Sequence, residues 1–467
     1  MNHNNVYIIS AVRTPIGKFG GGLADFTAPD LGVIAVRAAL QRAFQGEPPP
    51  ERQPGVGGKI EDSIQQAATD NTMGSHLVNS PSQGTASAVP KRSGNPGVLT
   101  PEVGTTSRDS APREFPYHVD ELIFGNARPA GVGPNPARQI AWRAGLGDDV
   151  PAFTVNMACA SGLRSIMLGW QEILLGNAEI VVAGGAESMS RVPYLVEARW
   201  GVKMGNQPLV DAMYRDGFLC PISQMIMGET AELLAEQYKI SREEQDAFAL
   251  ESHHRAARAQ RECRFSREII PVERTDKKGN VVRVEKDEHV RPEITLEQMA
   301  KLPPVFSKTG TITAGNASGI TDGASCVVLA SEKKVRELNL KPIAQIVDAA
   351  VAAVDPRVMG IGPVPAVRKL LARTGTNLQD YAAIELNEAF AAQVLACDRD
   401  LHFPRERLNL NGGAIALGHP IACTGARIVT TLVHELRRDE NSAKNKKGLA
   451  TLCVSGGMGV AVEIETV

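Results

Sequence analysis

The feature that most limits what this chain can fold into is a strand–helix–strand pattern between residues 152 and 184. Residues 152–156 read as a short strand. Residues 160–175 place Leu163, Ile166, Met167, Trp170, Ile173 and Leu174 on one helical face. Gly176 supplies a stop. Residues 179–184 return as a second apolar strand. A crossover of that length joins parallel strands, and such strands need helices over their faces. The pattern predicts a layered α/β fold.

The ends of the chain extend that reading. Residues 6–11 predict a buried first strand, 31–44 an amphipathic helix and 119–125 another strand. The last third repeats the scheme, with strands over 343–349, 382–386, 448–454 and 459–465. A helix over 427–438 carries Ile428, Leu432 and Leu436 at a spacing of four. A duplicated α/β unit is expected. Between the two, residues 189–320 are polar and rich in Arg and Glu. There Ser241-Arg242-Glu243-Glu244 has the form of a capping box opening a helix. That stretch reads as an α-rich excursion.

One segment breaks the pattern. Residues 46–116 hold 33 Gly, Pro, Ser and Thr among 71, and no aromatic residue lies between Phe44 and Phe115. Such a stretch cannot bury enough apolar surface to offset its ordering entropy, so a disordered surface insertion is expected. Elsewhere, a chain of 467 residues that is 43% hydrophobic can build two or three domains. The net charge of −2 gives no general affinity for nucleic acid or a membrane surface. No apolar run approaches the ~18 residues of a membrane span, and neither terminus reads as a targeting signal. A cytoplasmic location is expected. The seven Cys residues are scattered without a Cys-x-x-Cys pair. That spacing argues against a metal site or a disulfide framework and for individually placed thiols.

Three short motifs carry such thiols or a candidate base. Asn156-Met157-Ala158-Cys159-Ala160-Ser161-Gly162 puts Cys159 at the strand-to-helix junction. There the positive end of the helix dipole favours a thiolate and free backbone N–H groups can hold an oxyanion. Gly418-His419-Pro420 places a His at the end of an element. Leu452-Cys453-Val454-Ser455-Gly456-Gly457 ends an apolar strand in a glycine turn. A nucleophile, its base and a second thiol for proton transfer form one consistent set. Each residue also has a plainer reading. Cys159 and Cys453 could be small core side chains, His419 a capping group and Asn387 a turn residue.

Taken in order along the chain, the motifs resemble the thiolase family. The resemblance rests on Arg13-Thr14-Pro15-Ile16-Gly17, the Cys159 turn, Gly184-Gly185-Ala186-Glu187-Ser188-Met189-Ser190 and Thr313-Ala314-Gly315-Asn316-Ala317-Ser318-Gly319. It rests also on Asn387-Glu388-Ala389-Phe390-Ala391, Gly418-His419-Pro420 and the Cys453 strand. It covers nearly everything outside residues 46–116. It implies duplicated α/β domains in five layers, α-β-α-β-α, with an inserted α-rich loop domain. The expected bounds are 1–188 for the N-terminal domain, 189–320 for a coenzyme A-binding loop domain, 321–341 for a return to the first domain and 342–467 for the C-terminal domain.

The resemblance, which is close to the acetyl-CoA acetyltransferases, further implies a ping-pong Claisen condensation. Cys159 would be acylated after His419 takes its proton. The backbone N–H groups of Cys159 and Ser455 would hold the oxyanion, and Cys453 would remove an α-proton from a second acetyl-CoA. Asn387 would fix a water on the enolate. Arg291 and Ser318 match residues that contact coenzyme A. Met227, Met359, Ala389 and Phe390 match the apolar lining of the acyl and pantetheine tunnel, and could equally be ordinary core. Coenzyme A thioesters would be substrates, with no metal or other cofactor, in a homodimer or homotetramer. Three departures stand out. Ile226 replaces a His of many acetyl-specific relatives, Ser455 replaces a Gly, and Ala422-Cys423-Thr424 replaces Gly-Ala-Ser. A broader-chain 3-ketoacyl-CoA thiolase and a catalytically silent acyl-CoA-binding scaffold remain open.

Overall fold

The computed structural model describes residues 5–46, 115–439 and 444–467. Most of the 46–116 stretch therefore lies outside the described residues.

The two ends of the chain build the same pairing pattern. In the first half, strand Val6–Arg13 runs antiparallel to Thr321–Ser331, which runs antiparallel to Ile180–Ser188. Ile180–Ser188 is parallel to Glu121–Gly125, and that strand to the edge strand Ala152–Val155. In the second half, Ala344–Ala353 runs antiparallel to Met458–Thr466, and that strand antiparallel to Lys447–Val454. Lys447–Val454 is parallel to Tyr381–Leu386. Antiparallel, antiparallel, parallel is the order in both. The halves meet where Tyr7 pairs with Gln345 and Ile8 with Ala344, so one ten-stranded sheet results.

Period-two alternation sends the strand residues into separate cores. Ala450, Leu452, Val460 and Val462 face inward, whereas Leu449 and Ala461 face the opposite side. Helices Ser161–Leu174 and Ile421–Leu436 fill the inner layer between the halves. Helices Ala28–Gln45 and Pro136–Arg143 cover the outer face of the first half. Pro363–Thr374 and Ala391–Leu401 cover that of the second. These are the five layers the resemblance implies.

The Ile421–Leu436 helix buries 14 of its 16 residues, as a helix with sheet on both sides must. It starts six residues before the periodicity suggests. Gly425 reads as a breaker, yet the close crossing requires it there. A Cβ at Gly425 would lie 2.7 Å from Leu163 Cβ, and one at Gly162 would lie 2.6 Å from the Ala422 carbonyl oxygen.

Residues 189–320 leave the sheet. They contain helices Met227–Gln237, Arg242–Arg261 and Leu296–Ala300 and the hairpin Val272–Thr275 with Val281–Val284. The Ser241 capping box forms, with Glu244 N–H donating to Ser241 Oγ at 3.2 Å and Ser241 N–H to Glu244 Oε2 at 2.7 Å. Arg13, fully buried, ties this segment to the sheet. It donates to Glu268 at 2.7 Å and to Asp287 at 2.7 and 3.0 Å. Removing one member would strand a buried charge, at a cost of about 3–5 kcal/mol. Among the described residues, no helix is long and apolar enough to cross a membrane.

Candidate active site

The duplication places the candidate nucleophile and base in equivalent positions. Cys159 stands two residues before the Ser161–Leu174 helix, and His419 two residues before Ile421–Leu436. These are the paired inner helices, so the two residues approach from opposite halves.

Cys159 does not sit in the helix itself. It occupies the 3-10 turn Ala158–Ala160 that precedes it. Ala158 is held at φ +44°, a conformation disfavoured for Ala. The turn is secured by Ala158 N–H on Asn156 Oδ1 at 3.1 Å, Met157 N–H on Ser161 Oγ at 2.9 Å and Ser161 Oγ–H on the Ala158 carbonyl at 2.7 Å. The thiol is half-buried. Its pKa is not depressed as a helix-start position suggests. Burial pushes it up, against hydrogen bonding from the Ser455 N–H and attraction from Arg128. Ser455, whose side chain departs from the family pattern, thus brings its backbone N–H near the Cys159 sulfur.

His419 is 7% exposed. Gly418 before it adopts φ +105°, and a Cβ there would strike Thr321. His419 Nδ1 lies 2.6 Å from Thr424 Oγ1. The Thr424 hydroxyl has one proton and donates it to the Pro420 carbonyl at 3.1 Å. The hydroxyl therefore accepts from Nδ1–H, and the hydrogen-bond network assigns Nε2 as the bare nitrogen. Nε2 has no protein partner. Burial, with the nearby Arg427 and Arg128 cations, pushes the His419 pKa down to about 3. The ring is neutral and its free lone pair can accept a proton.

Cys453 ends strand Lys447–Val454 and is 1% exposed. Burial and the neighbouring Cys159 and Cys397 thiols push its pKa well above the usual thiol range. It packs in one apolar cluster with Met227, Met359, Ala389 and Phe390, the residues matched to the tunnel lining. Phe306 meets Phe390 edge-on, with ring centroids 6.2 Å apart. Asn387 follows strand Tyr381–Leu386, and its backbone N–H bonds the Thr451 carbonyl at 3.0 Å, two residues before Cys453. The Asn387 side chain is fully buried, yet neither its oxygen nor its nitrogen has a protein partner. Buried amides are almost always hydrogen-bonded, which sets this one apart from its neighbours.

The segment around Ser318 links these parts. Ser318 N–H bonds the Ala389 carbonyl at 3.0 Å, and His419 N–H bonds the Gly319 carbonyl at 3.1 Å. Ser318 is half-buried beside Ala389, whereas Arg291 lies exposed on the loop segment, its N–H donating to His253 Nδ1 at 3.2 Å. Cys423, the extra thiol, is buried, and burial pushes its pKa up to about 12.

One important residue was quoted in a motif but given no role. Glu187 is fully buried and accepts four hydrogen bonds, from Asn126 Nδ2 at 3.0 Å and from Ala127, Arg128 and Ala422 N–H at 3.1 Å each. It clamps the 126–128 loop of the first half to the first turn of the His419 helix. Burial pushes its pKa up to about 7 against those donors and Arg128. A carboxylate inside an otherwise apolar strand, Ile180–Ser188, is the signal that would have found it.

Comparison with known proteins identifies the family. Residues 112–333 match the family model "Thiolase, N-terminal domain" and residues 340–466 match "Thiolase, C-terminal domain". A probable acetyl-CoA acyltransferase of Staphylococcus aureus is 50% identical over 350 residues, 75% of this chain and 88% of that one. An acetyl-CoA acetyltransferase of Cupriavidus necator is 42% identical over 462 residues, 99% of each chain. The crystal structure of human mitochondrial 3-ketoacyl-CoA thiolase superposes with a TM-score of 0.81 at 38% identity, covering 100% of both chains. The thiol–imidazole–thiol grouping on a duplicated α/β frame and these matches lead to one conclusion: the chain belongs to the thiolase family and is an acyltransferase.

Proposed function

We propose that this thiolase is an acetyl-CoA C-acetyltransferase that joins two acetyl-CoA molecules into acetoacetyl-CoA and coenzyme A, reversibly, through an acyl-cysteine. The observation that carries the reading is the Cys159 turn packed on the helix that follows His419, with the Ser455 backbone N–H near the Cys159 sulfur and a His419 Nε2 that has no protein partner. In the first half-reaction, Cys159 attacks the thioester carbonyl as His419 Nε2 takes its proton. The Cys159 and Ser455 N–H groups hold the oxyanion. Collapse expels the coenzyme A thiolate, which takes the Cys453 proton. A thiol with so high a pKa becomes a strong base once deprotonated. Cys453 then takes an α-proton from the second acetyl-CoA. The enolate oxygen is held by the His419 Nε2–H and through a water on Asn387. The enolate carbon attacks the acyl group, and Cys159 leaves as thiolate and recovers its proton from His419.

In this reading Arg291 and Ser318 contact coenzyme A. Met227, Met359, Ala389 and Phe390 line the tunnel to Cys453. The coenzyme A thioesters are substrates and no further cofactor takes part. Assembly as a homodimer or homotetramer is part of the proposal. The exposed Trp200 and Met204, 91% and 92% accessible, support it. A broader 3-ketoacyl-CoA thiolase is the second reading. It is favoured by the apolar Ile226 at the start of the Met227–Gln237 helix, which sits where many acetyl-specific relatives carry His.

Mixing with acetyl-CoA should release a burst of one coenzyme A per subunit and leave acetyl on the Cys159 peptide alone. Label on Cys423 or Cys453 would overturn the assignment. Thiolysis rates across short- to long-chain 3-ketoacyl-CoA separate the two readings, and light scattering reads the assembly.

A further inference from the structure

Arg128 is a buried cation that the scheme above leaves unused. It follows strand Glu121–Gly125 in the loop Asn126-Ala127-Arg128 and is 8% exposed. Its side chain makes one hydrogen bond among the described residues, Nη1–H to the Ala127 carbonyl at 2.9 Å. Nε is buried with no partner. A guanidinium normally spends its five donors on carboxylates or carbonyls, and burying one without a paired anion costs several kcal/mol.

Its position is tightly specified. The Arg128 and Ala127 N–H groups are fixed on Glu187, the carboxylate that also holds Ala422 in the first turn of the His419 helix. Ala127 packs in one apolar cluster with Ile421, Ala422 and Cys159. On the other side the guanidinium lies against Gly217, where a Cβ would come within 2.9 Å of Nε and 3.1 Å of Nη2. A glycine at 217 is what gives the guanidinium room. The charged and titratable groups that act on Cys159 or on which it acts are Arg128, Glu187 and Cys453, and Arg128 acts on His419 as well. Glu187 accepts four N–H donors, and among the described residues no ion pair within 4 Å joins it to Arg128, though the Arg128 charge still acts on it. Ala127 before Arg128 and Phe218 after Gly217 both pack in the cluster that holds Cys159, so the guanidinium between them borders the thiol.

We propose that Arg128 is a positioning residue of the acyl-transfer step: its guanidinium offsets negative charge as it passes from the Cys159 sulfur to the thioester oxygen. The inference rests on Cys159 being the nucleophile. It adds a cation to a site otherwise built from backbone amides, two thiols and one imidazole. Its attraction for Cys159 opposes the effect of burial, and on His419 its repulsion adds a smaller push to those of burial and Arg427. One charge therefore lowers the proton affinity of both partners.

The test is the pH dependence of Cys159 alkylation by iodoacetamide, read on the Cys159 peptide by mass spectrometry. It needs no acyl-CoA, so it is independent of the acetyl assignment, which the coenzyme A burst on the same samples reports. In Arg128→Gln the alkylation midpoint should rise by about 1–3 pH units, the usual effect of a close opposite charge. Arg128→Lys should restore most of the shift. Gly217→Ala, which displaces the guanidinium without removing it, should move the midpoint in the same direction as Arg128→Gln. Melting curves establish that each variant is folded. If Arg128→Gln does not fold, the comparison of Gly217→Ala with Arg128→Lys and wild type decides. A midpoint that stays at the wild-type pH in the folded Arg128→Gln, or in Gly217→Ala when it stands in, overturns the proposal and leaves Arg128 a purely structural residue.

Discussion

The Thr424 hydroxyl lies 2.6 Å from His419 Nδ1, one helical turn beyond it. Because Thr424 donates its own proton to the Pro420 carbonyl, it selects the Nδ1–H tautomer and leaves Nε2 free. The arrangement makes a local residue, not a distant carboxylate, the orienter of the His419 imidazole.

Thr424→Val should therefore impair catalysis without disturbing the fold. A positioned base is worth about 10²–10⁴ in rate, and losing its tautomer control should forfeit about tenfold or more of that. Thr424→Ser keeps the hydroxyl and should retain near wild-type turnover. Steady-state thiolysis of acetoacetyl-CoA measures both. Equal rates for Thr424→Val and wild type would remove the orienting role.

The two thiols should separate by half-reaction. Cys453→Ala keeps Cys159, His419 and the Ser455 N–H, so single-turnover acetylation should persist. Condensation should fall by at least ~10²-fold, because the base for the α-proton is gone. Cys159→Ala should lose both. Wild-type condensation in Cys453→Ala would reduce Cys453 to a core thiol.

His419 also affects acid stability. Its folded pKa of about 3 lies below the ordinary value of about 6.5. The unfolded chain therefore binds a proton that the native state refuses. The neutral ring leaves native stability intact above about pH 6.5, and stability is lost as pH falls from there towards 3. Replacing His419 with Gln should flatten the Tm-versus-pH curve in that window. His253, pushed down to about 3 mainly by burial, contributes the same slope and remains in the variant. An unchanged slope in His419→Gln would contradict a neutral buried ring.

Gly185→Ala tests the contact between the halves. A Cβ at Gly185 would fall inside contact distance of the Ala422 carbonyl and 3.1 Å from Gly162 Cα. Backbone on both sides cannot move without shifting the His419 helix. Overpacking of this kind costs about 1–3 kcal/mol or more, and turnover should fall with it. Chemical denaturation and thiolysis rates, read together, would show whether stability and catalysis move as one.

The chain's local chemistry was readable without coordinates. Apolar spacing located the Ser161–Leu174 helix to within a residue. The Ser241 box marked a true helix start, because a cap depends on residues three apart. The motifs around Cys159, Asn387, His419 and Cys453 were visible because each lies at a strand end or glycine turn, where short-range sequence sets the backbone. What tertiary structure alone decided is everything that depends on distant segments meeting. The Ile421–Leu436 helix begins ahead of a glycine only because Gly425 faces Leu163 across the inner layer. The Cys159 thiol is pushed up, not down, because burial between two half-sheets outweighs its place at a helix start. Ser455 reaches Cys159 from 296 positions away in the chain, and Glu187 and Arg128 acquire meaning only where the halves close on them. Periodicity and caps are local properties of a chain, but desolvation and charge proximity belong to the packed molecule.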